Sequence, residues 1–103
     1  MTDQELLERG YTKYPPWRPN KEFCECLFQK RFDDERGKKY FINVDKWDFR
    51  SAGGNISYEG NVQMSTRDDD LTLTMTFHDW PIEKIEEFTE WLWQQKFDYY
   101  ERI

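Results

Sequence analysis

The apolar side chains change their spacing at Pro81, and this change constrains the fold more than any other feature of the chain. In residues 71–77, apolar residues alternate with threonines, the pattern of a β-strand with one buried face. After Pro81, apolar residues follow the spacing of a helix that packs one stripe on a sheet: Ile82, Ile85, Phe88 and Leu92. The sequence therefore predicts an α+β domain with a long C-terminal helix.

Three further strands are predicted before this strand, at residues 22–32, 38–49 and 56–66. The polar segment DDERG, residues 33–37, is expected to join the first two strands as a hairpin connection longer than two residues. Gly60 within the third strand predicts either a bulge or a close backbone approach. With residues 71–77, these segments predict a four-stranded antiparallel meander whose one face packs against the C-terminal helix.

The N-terminal segment combines helix signals with prolines. Thr2 and Glu5 have the spacing of a capping box, and Gly10 is a helix stop, so a short helix is expected. The following segment, YTKYPPWRPN, must be extended because it contains three prolines. Its rings are expected to pin this arm across the sheet or along its edge: Tyr11, Tyr14 and Trp17. Recognition as a proline-rich peptide ligand is the competing interpretation.

The 103 residues fit a single domain, with residues 1–20 as the short helix and arm, 21–78 as the sheet and 79–103 as the C-terminal helix. Aromatic residues make up 18% of the chain, so large rings must supply much of the buried area. We expect a cytoplasmic protein, because no apolar run reaches the length of a membrane span and the first residues lack a signal-peptide pattern.

Few residues point to catalysis, so a non-enzymatic protein without a cofactor is expected. Cys24 and Cys26, the only cysteines, are expected to be small buried side chains, since a metal site would need more ligands than these and His78. A metal-dependent or His-dependent hydrolase is the weaker alternative, with His78 oriented by Asp79 as general base. That alternative also uses acidic turn residues, namely Asp33, Asp34, Asp68, Asp69 and Asp70.

The charge is strongly polarised along the chain. Residues 68–103 contain ten acidic and three basic side chains, or minus seven, while the chain as a whole carries minus six. The acidic balance argues against binding to duplex nucleic acid but is typical of a surface that attracts a basic partner. The predicted partner-binding residues lie on the C-terminal helix: Glu83, Glu86, Glu87, Glu90, Trp91 and Trp93. Because Trp91 and Trp93 are about 200° apart around a helix, only one can face the core.

A basic and aromatic cluster on the predicted hairpin gives a second candidate site for a small nucleotide. Its members are Lys30, Arg31, Arg36, Lys38, Lys39 and Tyr40. Cations can bind phosphates while rings stack on bases. However, strand alternation sends Lys30 and Arg31 to opposite faces, and ordinary ion pairs within the hairpin are the favoured interpretation.

Three segments together resemble a group of short uncharacterised proteins of bacteriophages and prophages of Gram-positive bacteria. They are ELLERGYTKYPPW (5–17), CLFQKRFDDERGKKYFINVDKWDF (26–49) and IEEFTEWLW (85–93). The resemblance implies an accessory protein that counters host defence by binding either a host protein or a nucleotide signal. It carries no known activity or site residues. A homodimer that buries the surplus aromatic surface is also expected.

Overall fold

The computed structural model describes residues 1–16, 22–34, 37–65 and 72–101. Within them lie two helices, α1 (Asp3–Glu8) and α2 (Ile82–Glu101), a short 3-10 helix (Arg50–Ala52), and five strands: β1 (Thr12–Tyr14), β2 (Cys24–Asp34), β3 (Gly37–Asp48), β4 (Ile56–Ser65) and β5 (Thr72–His78). The strands form one antiparallel sheet in chain order. The predicted α+β class is confirmed, but the predicted number of four strands is wrong.

The additional strand comes from the predicted N-terminal arm. Thr12 to Tyr14 pair with Gln29 to Leu27 of β2, so this part of the arm lies along the sheet edge, as predicted. Pairing is possible because these three residues keep their N–H groups, whereas Pro15 and Pro16 have none to donate. Trp17 lies outside the described residues.

Both ends of the predicted hairpin connection belong to strands. Asp34 lies opposite Gly37, with Asp33 opposite Lys38, so the five-residue connection predicted at 33–37 is wrong. A register shift between Phe32 and Asp33 marks a bulge at this point. A bulge lets polar residues continue the pairing beyond the end of the apolar pattern.

The start of α2 also differs from the prediction. The carbonyl of Pro81 accepts hydrogen bonds from the N–H groups of Lys84 and Ile85, at 3.0 and 3.1 Å. Pro81 therefore occupies the N-cap position, in place of the expected Asp79 or Trp80, because it supplies the first helical acceptor. Asp79 instead has a positive φ of 60°. This left-handed residue turns the chain from β5 back over the sheet.

The predicted caps of α1 are confirmed. The Thr2 hydroxyl accepts a hydrogen bond from the N–H of Glu5, at 3.1 Å. At the other end, Gly10 has a φ of 92°. The N–H groups of Gly10 and Tyr11 donate to the carbonyls of Leu7 and Leu6, at 3.1 and 3.0 Å. This paired closure is the Schellman motif, and it directs the chain straight into β1.

Both helices cover the same face of the sheet. The core between them is made of apolar side chains of α1, the strands and α2, including Leu6, Phe28, Tyr40, Ile42, Val44, Val62, Met64, Ile82 and Ile85. A methyl group added at Gly60 would lie 2.8 Å from Cδ1 of Ile85. Since β4 pairs regularly through Gly60, this glycine serves a close helix approach and not a bulge.

The opposite face of the sheet carries a row of polar side chains, together with Leu27, Phe41 and Trp47. Gln29 donates to Asn43 at 2.9 Å, Asn61 donates to Asp45 at 3.3 Å, and Thr76 donates to Asn61 at 3.0 Å. These side-chain hydrogen bonds together span four strands. Thr74 and Thr76 are exposed, which confirms the predicted outer threonine row where side chains are described. In the described part of the chain, no helix has the length and apolar character needed to cross a membrane.

Candidate functional site

Two of the four predicted helix carboxylates hold the fold together. Glu86 accepts hydrogen bonds from the Arg9 guanidinium at 2.5 Å and from the Tyr11 hydroxyl at 2.9 Å. Glu90 accepts one from the Tyr40 hydroxyl at 2.6 Å. Burial, together with the neighbouring carboxylate, raises the pKa of both Tyr11 and Tyr40. Glu86 therefore ties α2 to α1 and to Tyr11 at the start of the arm, and Glu90 ties it to β3.

The other two carboxylates are available to solvent. Glu83 and Glu87 are both exposed. Glu87 lies 3.5 Å from the ammonium of Lys84, one helical turn away. An exposed pair of this kind contributes little to stability, about 0–1 kcal/mol. Both carboxylates can therefore interact with a partner without disturbing the fold.

The two tryptophans of α2 face different sides of the helix, as predicted. Trp93 packs against the core, with its ring centroid 6.2 Å from that of Tyr40 in an edge-on arrangement. Trp91 is on the outer side of the helix and leaves 55% of its surface exposed. Trp93 is thus a core residue, and Trp91 is the member of the pair that a partner can reach.

Trp91 belongs to a group of contacting aromatic rings at the junction of β5 and α2. We call the exposed rings Trp80, Phe88 and Trp91 the aromatic patch. Their centroids are 6.1 Å apart for Trp80 and Phe88, and 6.0 Å apart for Phe88 and Trp91. Beneath them, Phe77 of β5 lies 5.0 Å from Trp80 and 5.8 Å from Phe88. With Pro81, Lys84 and Glu87, the patch lines an open depression of about 500 Å³.

Trp80 and Phe88 are not among the site residues predicted from the sequence. Phe88 was expected to lie on the sheet, yet it leaves 37% of its surface exposed, and Trp80, which was expected at the cap, leaves 43%. Phe88 is at the flank of the apolar stripe, so only one side of its ring reaches Phe77. The available signal was the i, i+3 spacing of Phe88 and Trp91, which places two rings side by side on a helix.

A second depression lies on the other flank of α2. It is lined by Phe32, Tyr40, Glu86, Glu87, Glu90, Trp91 and Gln94. Trp91 and Glu87 line both depressions. They therefore separate the depression at the aromatic patch from this second, more acidic one.

The described members of the basic hairpin cluster do not meet at one site. The Lys30 ammonium donates to the carbonyl of Arg9 at 2.6 Å, on the helix-covered face. Arg31 alternates to the other face and donates to Asp33 at 2.7 Å. Tyr40 is buried, at 1% exposure. Arg36 and the side chains of Lys38 and Lys39 lie outside the described residues.

The candidate catalytic and metal residues are likewise dispersed. His78 is exposed, and its Nδ1 lies 3.5 Å from a carboxylate oxygen of Glu59, across the strand pair. Of the two cysteines, Cys26 is buried, and burial raises the pKa of its thiol, whereas Cys24 is half-buried. Among the residues whose positions are described, no three His, Cys, Asp or Glu side chains are grouped to hold a metal ion. Asp68 to Asp70 lie outside them.

A partly exposed ionic network, centred on the buried Lys46 and not predicted from the sequence, anchors α1 to the sheet. The Lys46 ammonium lies 3.0 Å from carboxylate oxygens of both Asp3 and Glu25, and the Tyr58 hydroxyl donates to Asp3 at 2.6 Å. Burial opposes the charge on Lys46, but the bonds to Glu25 and Asp3 outweigh it and raise the Lys46 pKa. Burial likewise opposes the charge on Asp3, yet Tyr58 and Lys46 together lower its pKa. The network is complete within the protein and has a structural role.

Comparison of the chain with protein-family models, with curated protein sequences and with solved structures finds no match. The function is therefore inferred from the geometry of the described surfaces.

Proposed function

We propose that this protein is a non-enzymatic binding protein that docks a basic partner protein on the outer side of α2. The docking surface consists of the aromatic patch together with Glu83 and Glu87. The observation that supports this proposal is the aromatic patch itself, three exposed rings in which Phe88 contacts both Trp80 and Trp91. Buried aromatic anchors supply much of the binding energy of protein interfaces, with tryptophan the most enriched.

The fold does not need the outer ring of this patch. The core already contains Trp93 and Tyr40 on the inner side of α2, and Trp91 contacts the rest of the patch only through Phe88. Burial of apolar surface contributes about 25 cal/mol per Å². Burying these exposed rings against a partner would therefore contribute strongly to binding. Contiguous exposed apolar surface of this kind is typical of an interaction site.

The negative charge of residues 68–103 favours a basic partner. Residues 68–103 carry a formal charge of minus seven. Glu87 lines the depression at the patch, and Glu83 is exposed one helical turn before it. An acidic surface speeds encounters with a basic protein and disfavours acidic ones. A basic partner that normally binds nucleic acid fits this description, with the acidic helix occupying its site as a charge mimic.

The resemblance to phage accessory proteins supplies a biological setting for this proposal. In that setting, the partner is a host protein and its occupation counters host defence. The corresponding assay is phage plating on bacteria that express the chain. Wild type restores plating on a defended host, whereas Trp91→Ala does not. Equal plating with both variants would reject this setting.

Differential capture tests the docking surface. Wild type, Glu83→Lys/Glu87→Lys and Lys38→Glu/Lys39→Glu are immobilised and exposed to the same bacterial extract. We expect a partner that wild type and the hairpin variant retain and the helix variant loses. The captured protein is then purified and its affinity measured for each variant. Loss of binding only in the hairpin variant would instead favour the basic cluster as the site.

A further inference from the structure

We propose that the partner docks through an extended segment that adds to the sheet as a new strand along β5 and places alternate side chains in the aromatic patch. This inference rests on the proposed function and specifies the form of the partner. β-strand addition uses backbone hydrogen bonds for affinity and side-chain pockets for specificity.

The outer edge of β5 is suited to strand addition. β5 is the last strand of the sheet, and no strand pairs with its outer side in residues 1–16, 22–34, 37–65 and 72–101. Its residues from Thr72 to Phe77 include no charge, proline or glycine, although 35% of the chain is charged. Natural edge strands normally contain such residues, which prevent pairing with other chains.

The opposite edge of the sheet is protected in the usual way. β1 is only three residues long and is followed directly by Pro15 and Pro16. Short edge strands and prolines both block the addition of another strand. The two edges therefore differ, and within the described part of the chain β5 is the one left open to pairing.

The aromatic patch lies on the β5 side of α2. Phe77 is on the helix-covered face of β5 and contacts both Trp80 and Phe88. Glu86 and Glu90 are on the other flank, where they contact Arg9, Tyr11 and Tyr40. A new strand would lie about 4.8 Å beyond β5, with every second side chain on the helix-covered face. Those side chains would enter the depression beside Phe88 and Trp91.

This geometry specifies the chemistry of the docking segment. Side chains directed at the patch should be apolar, while those beside Thr74 and Thr76 on the other face should be polar. Glu87 lines the depression together with Lys84, and the exposed Asp79 lies just beyond the end of β5. Because the region carries a net charge of minus seven, the segment should have basic residues at its polar positions or ends.

A second copy of this chain fits the site less well. Pairing β5 with β5 of another molecule would bring two regions together, each with a net charge of minus seven. Like charges in close apposition oppose association. We therefore assign the edge to a basic segment of a different protein.

The first step of the test is selection of peptides from a random library on the immobilised full chain. We expect the selected peptides to alternate apolar and polar residues and to include Lys or Arg. The best peptide is then synthesised unmodified and with N-methyl groups on alternate amides, in two series. Methylation removes amide donors on one edge of an extended peptide. One series should therefore lose binding by about tenfold or more, and the other should retain it.

The protein variants locate the peptide. Trp91→Ala should lower the affinity for the peptide by about tenfold or more, since interface tryptophans commonly contribute most of the binding energy. Leu7→Ala, which truncates a residue of α1 that is 50% exposed, should have no effect. In the wild-type complex, amide resonances of residues 72–78 should shift, and alternate amides should gain protection from exchange.

Several results would overturn the strand-addition mode. They are a selection that yields no peptide, equal tolerance of both N-methyl series, a helical consensus, or a wild-type dimer that Trp91→Ala converts to monomer. A helical peptide that still depends on Trp91 would reject strand addition and leave the proposed docking function standing. Peptides whose affinity changes neither with Trp91→Ala nor with Glu83→Lys/Glu87→Lys would reject both strand addition and the proposed docking function.

Discussion

Single carboxylates on α2 look alike in the sequence but have different roles in the structure. Glu86 accepts hydrogen bonds from Arg9 and Tyr11, whereas Glu83 is exposed to solvent. Helical spacing alone could not separate them, because the partners of Glu86 come from residues more than seventy positions away. The distinction decides which substitutions test binding and which only test folding.

We expect Glu86→Ala to lower the free energy of unfolding by about 1–3 kcal/mol, because the Arg9 and Tyr11 groups lose their acceptor. Glu83→Ala, on the exposed side of the same helix, should change it by less than about 0.5 kcal/mol. Urea unfolding followed by circular dichroism measures both. Equal effects of the two substitutions would contradict the assigned roles.

The Lys46 network predicts loss of stability at high pH. Burial, followed by the bond to Asp3, raises the pKa of Tyr58 to about 12, from about 10 in the unfolded chain. The Lys46 pKa is also raised. A raised pKa means that the folded state holds its proton more tightly. The stabilisation is therefore complete below about pH 10 and is lost as the pH rises towards 12.

Urea unfolding between about pH 8 and pH 12 measures this effect. Wild type should lose stability more steeply with pH than Tyr58→Phe, which has no hydroxyl proton to release. Identical slopes for the two proteins would contradict the network as the source of the dependence.

Among the secondary-structure elements, β4, β5 and α2 were the best predicted from the sequence. Regular alternation and an uninterrupted helical stripe are local signals, so they need no knowledge of distant contacts. β1 could not be predicted because three residues carry too little pattern, and its pairing with β2 depends on the fold. Likewise, the exposure of Phe88 depends on where α2 crosses the sheet, which the contact between Gly60 and Ile85 sets.

Gly60→Val should destabilise the protein by about 1–3 kcal/mol, because the added side chain overlaps Ile85 where α2 crosses β4. Replacing Ile85 with alanine in the same protein should recover part of this loss, whereas Ile85→Ala alone creates a cavity. Thermal unfolding of the four proteins in this double-mutant cycle measures the coupling. Additive effects would show that the two residues are not in contact.

The whole molecule combines a sheet, a core between one face of that sheet and two helices, and an exposed aromatic and acidic surface at the junction of β5 and α2. The sequence predicts that the acidic helix and Trp91 belong to the binding surface, but it does not predict this for Trp80 or Phe88. These two rings meet because the left-handed Asp79 turns the chain back over β5. Charge polarity is a property of the chain as a whole, and it affects association more than stability.

Binding of the captured partner should therefore weaken as NaCl rises from about 50 to 500 mM, since exposed charges are screened over this range. Trp91→Ala should keep the melting temperature of wild type within about 2 °C yet lose most of the affinity. Calorimetric titration measures the binding constants. An affinity that is independent of salt would contradict the acidic surface as the steering element.

The most direct test of the docking surface is hydrogen exchange of the purified protein, alone and in complex with the captured partner. We expect new protection in β5 and in the first half of α2, with little change in the hairpin formed by β2 and β3. Protection confined to that hairpin would contradict the assignment and place the site on the basic cluster instead.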